Sequence, residues 1–292
     1  MRRLLLPADT AILGYFTILT GVVLAAWGRM ERPLVFVGLH ALVMAALVGI
    51  AYVDRATGRP AWRFVHYWIP ALIVLVAFRE IHYLAPQLHP FADRHWDRVL
   101  ASIDARWFGD VAGLCRRLAA RPVADVMQVC YWMYFAMPMI LAAALWRRAE
   151  LARFREVSAV YFVGWYATYL GYLAVPAVGP HFFELRAAEL DGWVCAAAFH
   201  RLLLMVEWEM PDAFPSGHAL AAALTLHLAW RHDRRVFAGL AFFAVGCILA
   251  TVYLRYHYVV DLAASAPLVP VSILGGRALA RGLPTDPAIR DS

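Results

Sequence analysis

Three residues of this chain have the types and spacing of an acid–base site. His218 follows Pro215, Ser216 and Gly217 in "DAFPSGHALAAALTLHLAW", where a tight polar turn becomes apolar at once. His257 and Asp261 stand four apart in "TVYLRYHYVVDLAAS". A helix start presents free backbone N–H groups and the positive end of the helix dipole. Glycine there lets the backbone approach an anion closely. An Asp one helical turn beyond a His fixes the imidazole tautomer and favours its protonated or electrophile-bound state. Asp261 also lies in an apolar run, where an unpaired carboxylate is costly, and pairing with His257 answers that cost. The parts describe a phosphate site: a nest of donors, a nucleophilic His257 held by Asp261, and His218 as a second histidine able to donate a proton.

The elements that must position these residues are membrane spans. The chain has 292 residues, 63% hydrophobic and only 16% charged. Soluble domains carry about 25% charged residues, so the composition predicts an all-α, multi-pass integral membrane protein. A span needs about 20 mostly apolar residues. Eight segments qualify, at 11–27, 34–53, 64–84, 125–146, 157–178, 214–230, 236–254 and 259–280. All 27 basic residues are arginine, which reads as genome composition bias. The net charge of +6 is thus only a weak hint of nucleic acid, and no nucleic-acid partner is expected. Arginine marks cytoplasmic flanks of spans, and "RRAELARFRE" and "RHDRR" are the clearest such marks. They put both chain ends inside. His218 and His257, 39 residues apart, then share the extracytoplasmic face, because the chain between them is one helix inward, a basic turn and one helix back. At 1.5 Å per residue each helix is about 25–30 Å long, so the second returns His257 to the height of His218.

Four cysteines, Cys115, Cys130, Cys195 and Cys247, have no C-x-x-C spacing and give no zinc or disulfide framework. The N-terminus, "MRRLLLPADTAILGYF", reads as a first anchor. In segment 85–121, Trp96, Val99, Leu100, Ile103, Trp107 and Val111 recur at helical spacing with charges opposite. That stripe predicts either helices lying on the outer membrane surface or a cap packed over the span ends. His40, His66 and His227 read as packing or interfacial residues, and Asp125 as a cap for its own helix. The aromatic run "VCYWMYFAMP" reads as lipid-facing, core, or the lining of an acyl groove.

"PSGH" with "H-x-x-x-D" at the next-but-one span resembles the type 2 phosphatidic acid phosphatase superfamily. "LASIDARWFGD", "AVPAVGP" and "RYHYVVDLAA" look most similar to its branch containing inositol phosphorylceramide synthase. The resemblance covers roughly 120–280 and implies a six-helix, metal-independent catalytic core without cofactors. It implies that His257 attacks phosphorus and forms a phosphohistidine, that Asp261 orients it, and that His218 moves the proton. Ser216 and Gly217 are then implied to bind phosphate oxygens. The family's third motif has an arginine six residues before its histidine, and that position here is Thr251. Its first motif has Lys or Arg followed by Arg-Pro, and here it is Gly179, Pro180, His181. The expected substrate-binding residues are therefore Arg255, Arg186, His181 and Arg79. On a continuous helix Arg255 would point about 160° away from His257, so it reaches phosphate only if the helix starts after it. These departures favour the transferase-like branch.

The domain reading is N-terminal spans over 1–84, an extracytoplasmic amphipathic segment over 85–121, a catalytic core over 122–282 and a cytoplasmic tail over 283–292. The function expected is a phosphatase or phosphotransferase acting on a lipid phosphate or phosphodiester. An alcohol-bearing lipid is the candidate acceptor, and a bacterial inner or plasma membrane the setting. A plain phosphatidic acid or prenyl (di)phosphate phosphatase is the first alternative. A haem-binding electron carrier needs paired histidines at matching depth, whereas His218 and His257 stand at the rim. A transporter is suggested by Arg79, Glu80 and Asp261 near membrane depth, but the chain has no inverted repeat.

Overall fold

The computed structural model describes residues 4–89, 95–183, 192–206 and 210–281, the side chains of Leu204 and Val206 excepted. Among the described residues the regular elements are helices, with no strand. In chain order they are α1 (Pro7–Ala25), α2 (Pro33–Thr57), α3 (Pro60–Leu88), α4 (His95–Phe108), α5 (Val111–Arg117), α6 (Arg121–Arg147), α7 (Leu151–Ala174), α8 (Pro180–Phe183), α9 (Ala196–Val206), α10 (Gly217–His232), α11 (Arg234–Tyr253), α12 (Val259–Ser265) and α13 (Leu268–Ala280). Each of the eight expected spans falls on one of these, the last on the broken pair α12–α13. Six are long and apolar enough to cross a membrane: α1, α2, α3, α6, α11 and α12–α13 taken together. The other two positions are occupied by α7 and by α10, which has only 16 residues.

The chain forms two compact units. The first comprises Met1–His89, Leu145–Tyr166 and Ser272–Ser292. Pro7, Pro33 and Pro60 open α1, α2 and α3, since proline's fixed φ suits the first helical turn and its missing N–H is no loss there. Ile12, Phe16, Leu19 and Val23 recur every three or four residues on α1 and are fully buried. Two buried histidines each tie the other two spans together. His66 of α3 binds Asp9 of α1 through Nε2 and Asp54 of α2 through Nδ1, both at 2.8 Å. His40 of α2 binds Thr20 of α1 at 2.8 Å and Glu80 of α3 at 2.6 Å. Both were expected to be packing or interfacial residues. Both are buried, as packing residues are, and they are also polar ties inside the bundle, because a buried carboxylate is costly unless paired.

The second unit comprises Pro90–Ala144 and Ala167–Val271. Its centre is the antiparallel hairpin α10–α11. Asp233 makes the turn, accepting from the N–H groups of Arg235 and Val236 at 3.0 and 3.1 Å. α6 packs on this hairpin, Met137 with Ala222, Leu240, Ala244 and Cys247, and Cys130 and Tyr131 with Ala250 and Leu254. α4 packs on α12 and α8 as a cap. It does so through Asp97, Leu100 and Asp104, while Trp107 of the apolar stripe is 68% exposed.

Candidate active site

The three residues with the clearest chemistry lie in the second unit and meet. The hairpin α10–α11 brings the rings of His218 and His257 to a centroid separation of 5.8 Å. His218 is the second residue of α10. Ser216 caps that helix, its hydroxyl accepting from the N–H of Ala219 at 3.2 Å. Gly217 is required by a close approach: a Cβ there would stand 2.6 Å from the Tyr172 hydroxyl. Tyr131 stacks on the His218 ring at 4.1 Å, and Tyr134, one turn on, covers it at 4.1 Å in a tilted arrangement. The Nε2 of His218 is buried without a hydrogen-bond partner among the described residues.

His257 stands just before α12, not on it. The chain leaves α11 at Tyr253, and the N–H groups of Tyr256 and His257 both bond the carbonyl of Thr251 at 3.0 Å. Nδ1 of His257 lies 2.8 Å from the carbonyl oxygen of Ala213. A carbonyl only accepts, so Nδ1 carries the proton and Nε2 keeps the lone pair. Asp261 Oδ2 is 3.4 Å from the same Nδ1 and accepts from the N–H of Tyr258 at 2.8 Å. The pairing expected on one helix face is made instead by a loop residue and the third residue of a helix. Asp261 closes the start of α12, and the nearer orienting group on His257 is a backbone carbonyl.

Arg255 meets the condition set by the sequence, since α12 starts after it. Its φ of 64° is left-handed, a conformation that costs a non-glycine residue about 1–2 kcal/mol. It is held there by the N–H of His181, which donates to its carbonyl at 2.8 Å. Arg255 and His257 together face a cavity of about 350 Å³, also lined by Asp104, Cys115, Pro180 and Tyr258. His181 is buried next to His200, ring centroids 4.6 Å apart. Burial, the neighbouring His200 and Arg255 hold its pKa down at about 4. It is therefore a neutral hydrogen-bonding group at pH 7, not a cationic clamp. Arg79 lies on α3 in the first unit, where its neighbour Glu80 bonds His40. Arg186 lies outside the described residues.

Two carboxylates of α4, missed in the sequence, assemble the loops around His257. Asp97 accepts from the N–H groups of Val178 and Gly179 at 3.1 and 3.0 Å and from the Tyr258 hydroxyl at 3.3 Å. Asp104 accepts from the N–H groups of Val259 and Val260 at 2.7 and 2.9 Å. Burial holds its carboxyl above the usual range, against the pull of these amide bonds. Gly179 has a φ of 86°, and a Cβ there would strike the carbonyl oxygen of Tyr256. The "AVPAVGP" and "RYHYVVD" stretches are thus laid directly on each other. The available signal was spacing: Asp97 and Asp104 are seven apart, two turns on one face.

A model of the PAP2 superfamily matches residues 98–275, more than half of the chain. The chain belongs to the PAP2 superfamily. The match takes in Asp104, Ser216, Gly217, His218, Arg255, His257 and Asp261. Membership in PAP2 supports a phosphatase-type function, and a PAP2 phosphatase acts on lipid phosphates in a membrane. No curated protein and no solved structure matches the chain. One further expectation changes within this PAP2 unit. Asp125 does not cap its own helix. It accepts from the N–H groups of Trp193, Val194, Cys195 and Ala196 at 2.7–3.0 Å and so holds the start of α9. The aromatic run of α6 supplies the two rings that enclose His218.

Proposed function

We propose that this membrane protein transfers a phosphate-bearing group from a lipid through a phosphohistidine on His257, at the extracytoplasmic face and without a metal. In the first step the Nε2 lone pair attacks phosphorus. A P–N bond forms, the bond from phosphorus to the leaving oxygen breaks, and protonated His218 gives that oxygen its proton. In the second step neutral His218 takes the proton of the incoming hydroxyl. Its oxygen attacks phosphorus and the P–N bond breaks. The proton on Nδ1 stays throughout, held by the Ala213 carbonyl, while the Asp261 carboxylate offsets the charge of the phosphorylated ring. Dividing one displacement into two lowers each barrier, and one histidine serves as acid and then base. Arg255, the Ser216 hydroxyl and the backbone N–H groups at Gly217 and His218 are assigned to the phosphate oxygens. His181 is assigned a neutral hydrogen bond to the same substrate, and Arg186 a second cation.

The observation that carries the reading is the Nδ1 contact to Ala213 O, 2.8 Å, with His218 facing the same ring at 5.8 Å. It gives one nucleophilic nitrogen and one proton carrier. We assign the acceptor as an alcohol, as in the branch containing inositol phosphorylceramide synthase, because Tyr131 and Tyr134 cover the His218 ring. The second reading is a plain phosphatase of phosphatidic acid or prenyl diphosphate, since the cavity beside His257 has room for water. Purified protein in vesicles, given phospholipids, phosphatidic acid or prenyl phosphates with and without alcohol acceptors, tests both. Transfer that exceeds phosphate release supports the first, and release alone supports the second. EDTA leaves either activity unchanged and His257→Ala abolishes it. Full activity in His257→Ala sinks the mechanism.

A further inference from the structure

α9 presents an apolar stripe that nothing in the site uses. Its exposed positions are 197, 198, 201, 202 and 205, spaced as one face of a helix, and exposed Trp193 and Val194 lead into it. Leu202 is 43% exposed and Met205 80%, with Ala197 and Ala198 a turn earlier, while Val194, 87% exposed, and Trp193, 70% exposed, stand just before the helix. The one charge on the stripe is Arg201, whose Nε donates to the carbonyl of Ala197 at 3.3 Å. That lays its stem along the helix, as a snorkelling arginine does at a membrane boundary. The helix has 11 residues, about 16 Å of length against the roughly 30 Å of a hydrocarbon core. It cannot span. In water such a stripe would be an exposed patch, but among the described residues six helices are long and apolar enough to cross a membrane.

We infer that α9 lies in the plane of the membrane, in the leaflet on the side of His257, with Ala198, Leu202, Met205 and the preceding Val194 in lipid. Its opposite face is fixed to the protein. Asp125 holds its start by four N–H bonds, Leu203 is buried, and His200 Nδ1 meets the Tyr256 hydroxyl at 2.9 Å. Tyr256 precedes His257 in the chain. The helix therefore seats the candidate nucleophile at headgroup height, where a lipid brings its phosphate while its tails stay in the bilayer. The partner of this surface is the bilayer itself, and the inference stands or falls independently of the reaction.

Spin labels test it in the full chain, in phosphatidylcholine vesicles, with Cys115→Ala and Cys195→Ala to remove the two less buried thiols. Labels at Val194→Cys and Met205→Cys are expected to collide with oxygen and to be shielded from a water-soluble nickel chelate. A label at Arg153→Cys, in the first turn of α7, gives the water-facing reference. Ala198→Cys supplies another position on the stripe should one variant fail to reconstitute. Nickel access equal to the reference overturns the inference, and so does an immobile label shielded from both reagents, which would mean that protein covers the stripe.

Discussion

His257 gives its Nδ1 proton to the carbonyl oxygen of Ala213 at 2.8 Å, with Asp261 Oδ2 standing farther off at 3.4 Å. The tautomer of the candidate nucleophile is thus set by backbone that no substitution at Asp261 removes. Asp261→Asn is expected to keep the ring in place and to lower kcat by roughly 10²–10⁴-fold, the range of an orienting or acid–base group. A loss of bound substrate without a change in kcat would contradict this.

Tyr131 and Tyr134 enclose the ring of His218. An aromatic contact is worth about 0.5–1.5 kcal/mol, so Tyr131→Leu should slow turnover by roughly 2–10-fold, whereas Tyr131→Phe keeps the stacked ring and most of the rate. Steady-state rates of the two variants, side by side, check this.

Gly217 has no room for a methyl because of the Tyr172 hydroxyl. Gly217→Ala is expected to lose most activity, and adding Tyr172→Phe to restore part of it. A double-mutant cycle with no coupling would show that the two residues act separately.

Asp97 satisfies two buried N–H groups of the 177–179 turn and the hydroxyl of Tyr258. Asp97→Ala leaves those donors unmet, at about 1–3 kcal/mol. The thermal midpoint of the purified protein should fall, and with it the rate, because the same turn lies against Tyr256. In the first unit, His66→Leu leaves Asp9 and Asp54 without their shared partner, and breaking a buried pair costs about 3–5 kcal/mol. Adding Asp9→Leu should recover part of that loss.

Acid should destabilise the second unit through His181. Its pKa of about 4 in the folded chain is below the ordinary 6.5 or so of a histidine, and that of His200 is lowered by burial as well. The unfolded chain then binds more protons between the two values. The stability this contributes is complete above pH 6.5 and is lost as pH falls towards 4. His181→Gln should flatten the dependence of the thermal midpoint on pH in that window, with a remainder from His200.

The helices and the meeting of His218 with His257 were legible because both follow from periodicity and length. An apolar run fixes a helix, and two helices of equal length must return the chain to one face. What was hidden lies where a side chain answers backbone. Asp97 and Asp104 read as the wet side of an amphipathic helix, since composition does not distinguish a carboxylate facing water from one facing amide groups 81 and 155 residues away. Asp125 was assigned to its own helix for the same reason. Arg255 was ambiguous until the end of α11 was known, because its reach depends on a left-handed residue that sequence pattern does not mark. His40 and His66 each bond two other spans, and a tie among three helices leaves no signature along any one of them.

The central claim is tested most directly by trapping the intermediate. His218→Ala should still be phosphorylated by p-nitrophenyl phosphate, whose leaving group needs no proton, but should lack the base for the second step. Mass spectrometry of the quenched, digested protein is then expected to find phosphate on the peptide carrying His257, and none in His218→Ala/His257→Ala. Phosphate on another residue, or turnover of the wild-type chain with no phosphorylated His257 in either protein, would contradict the account.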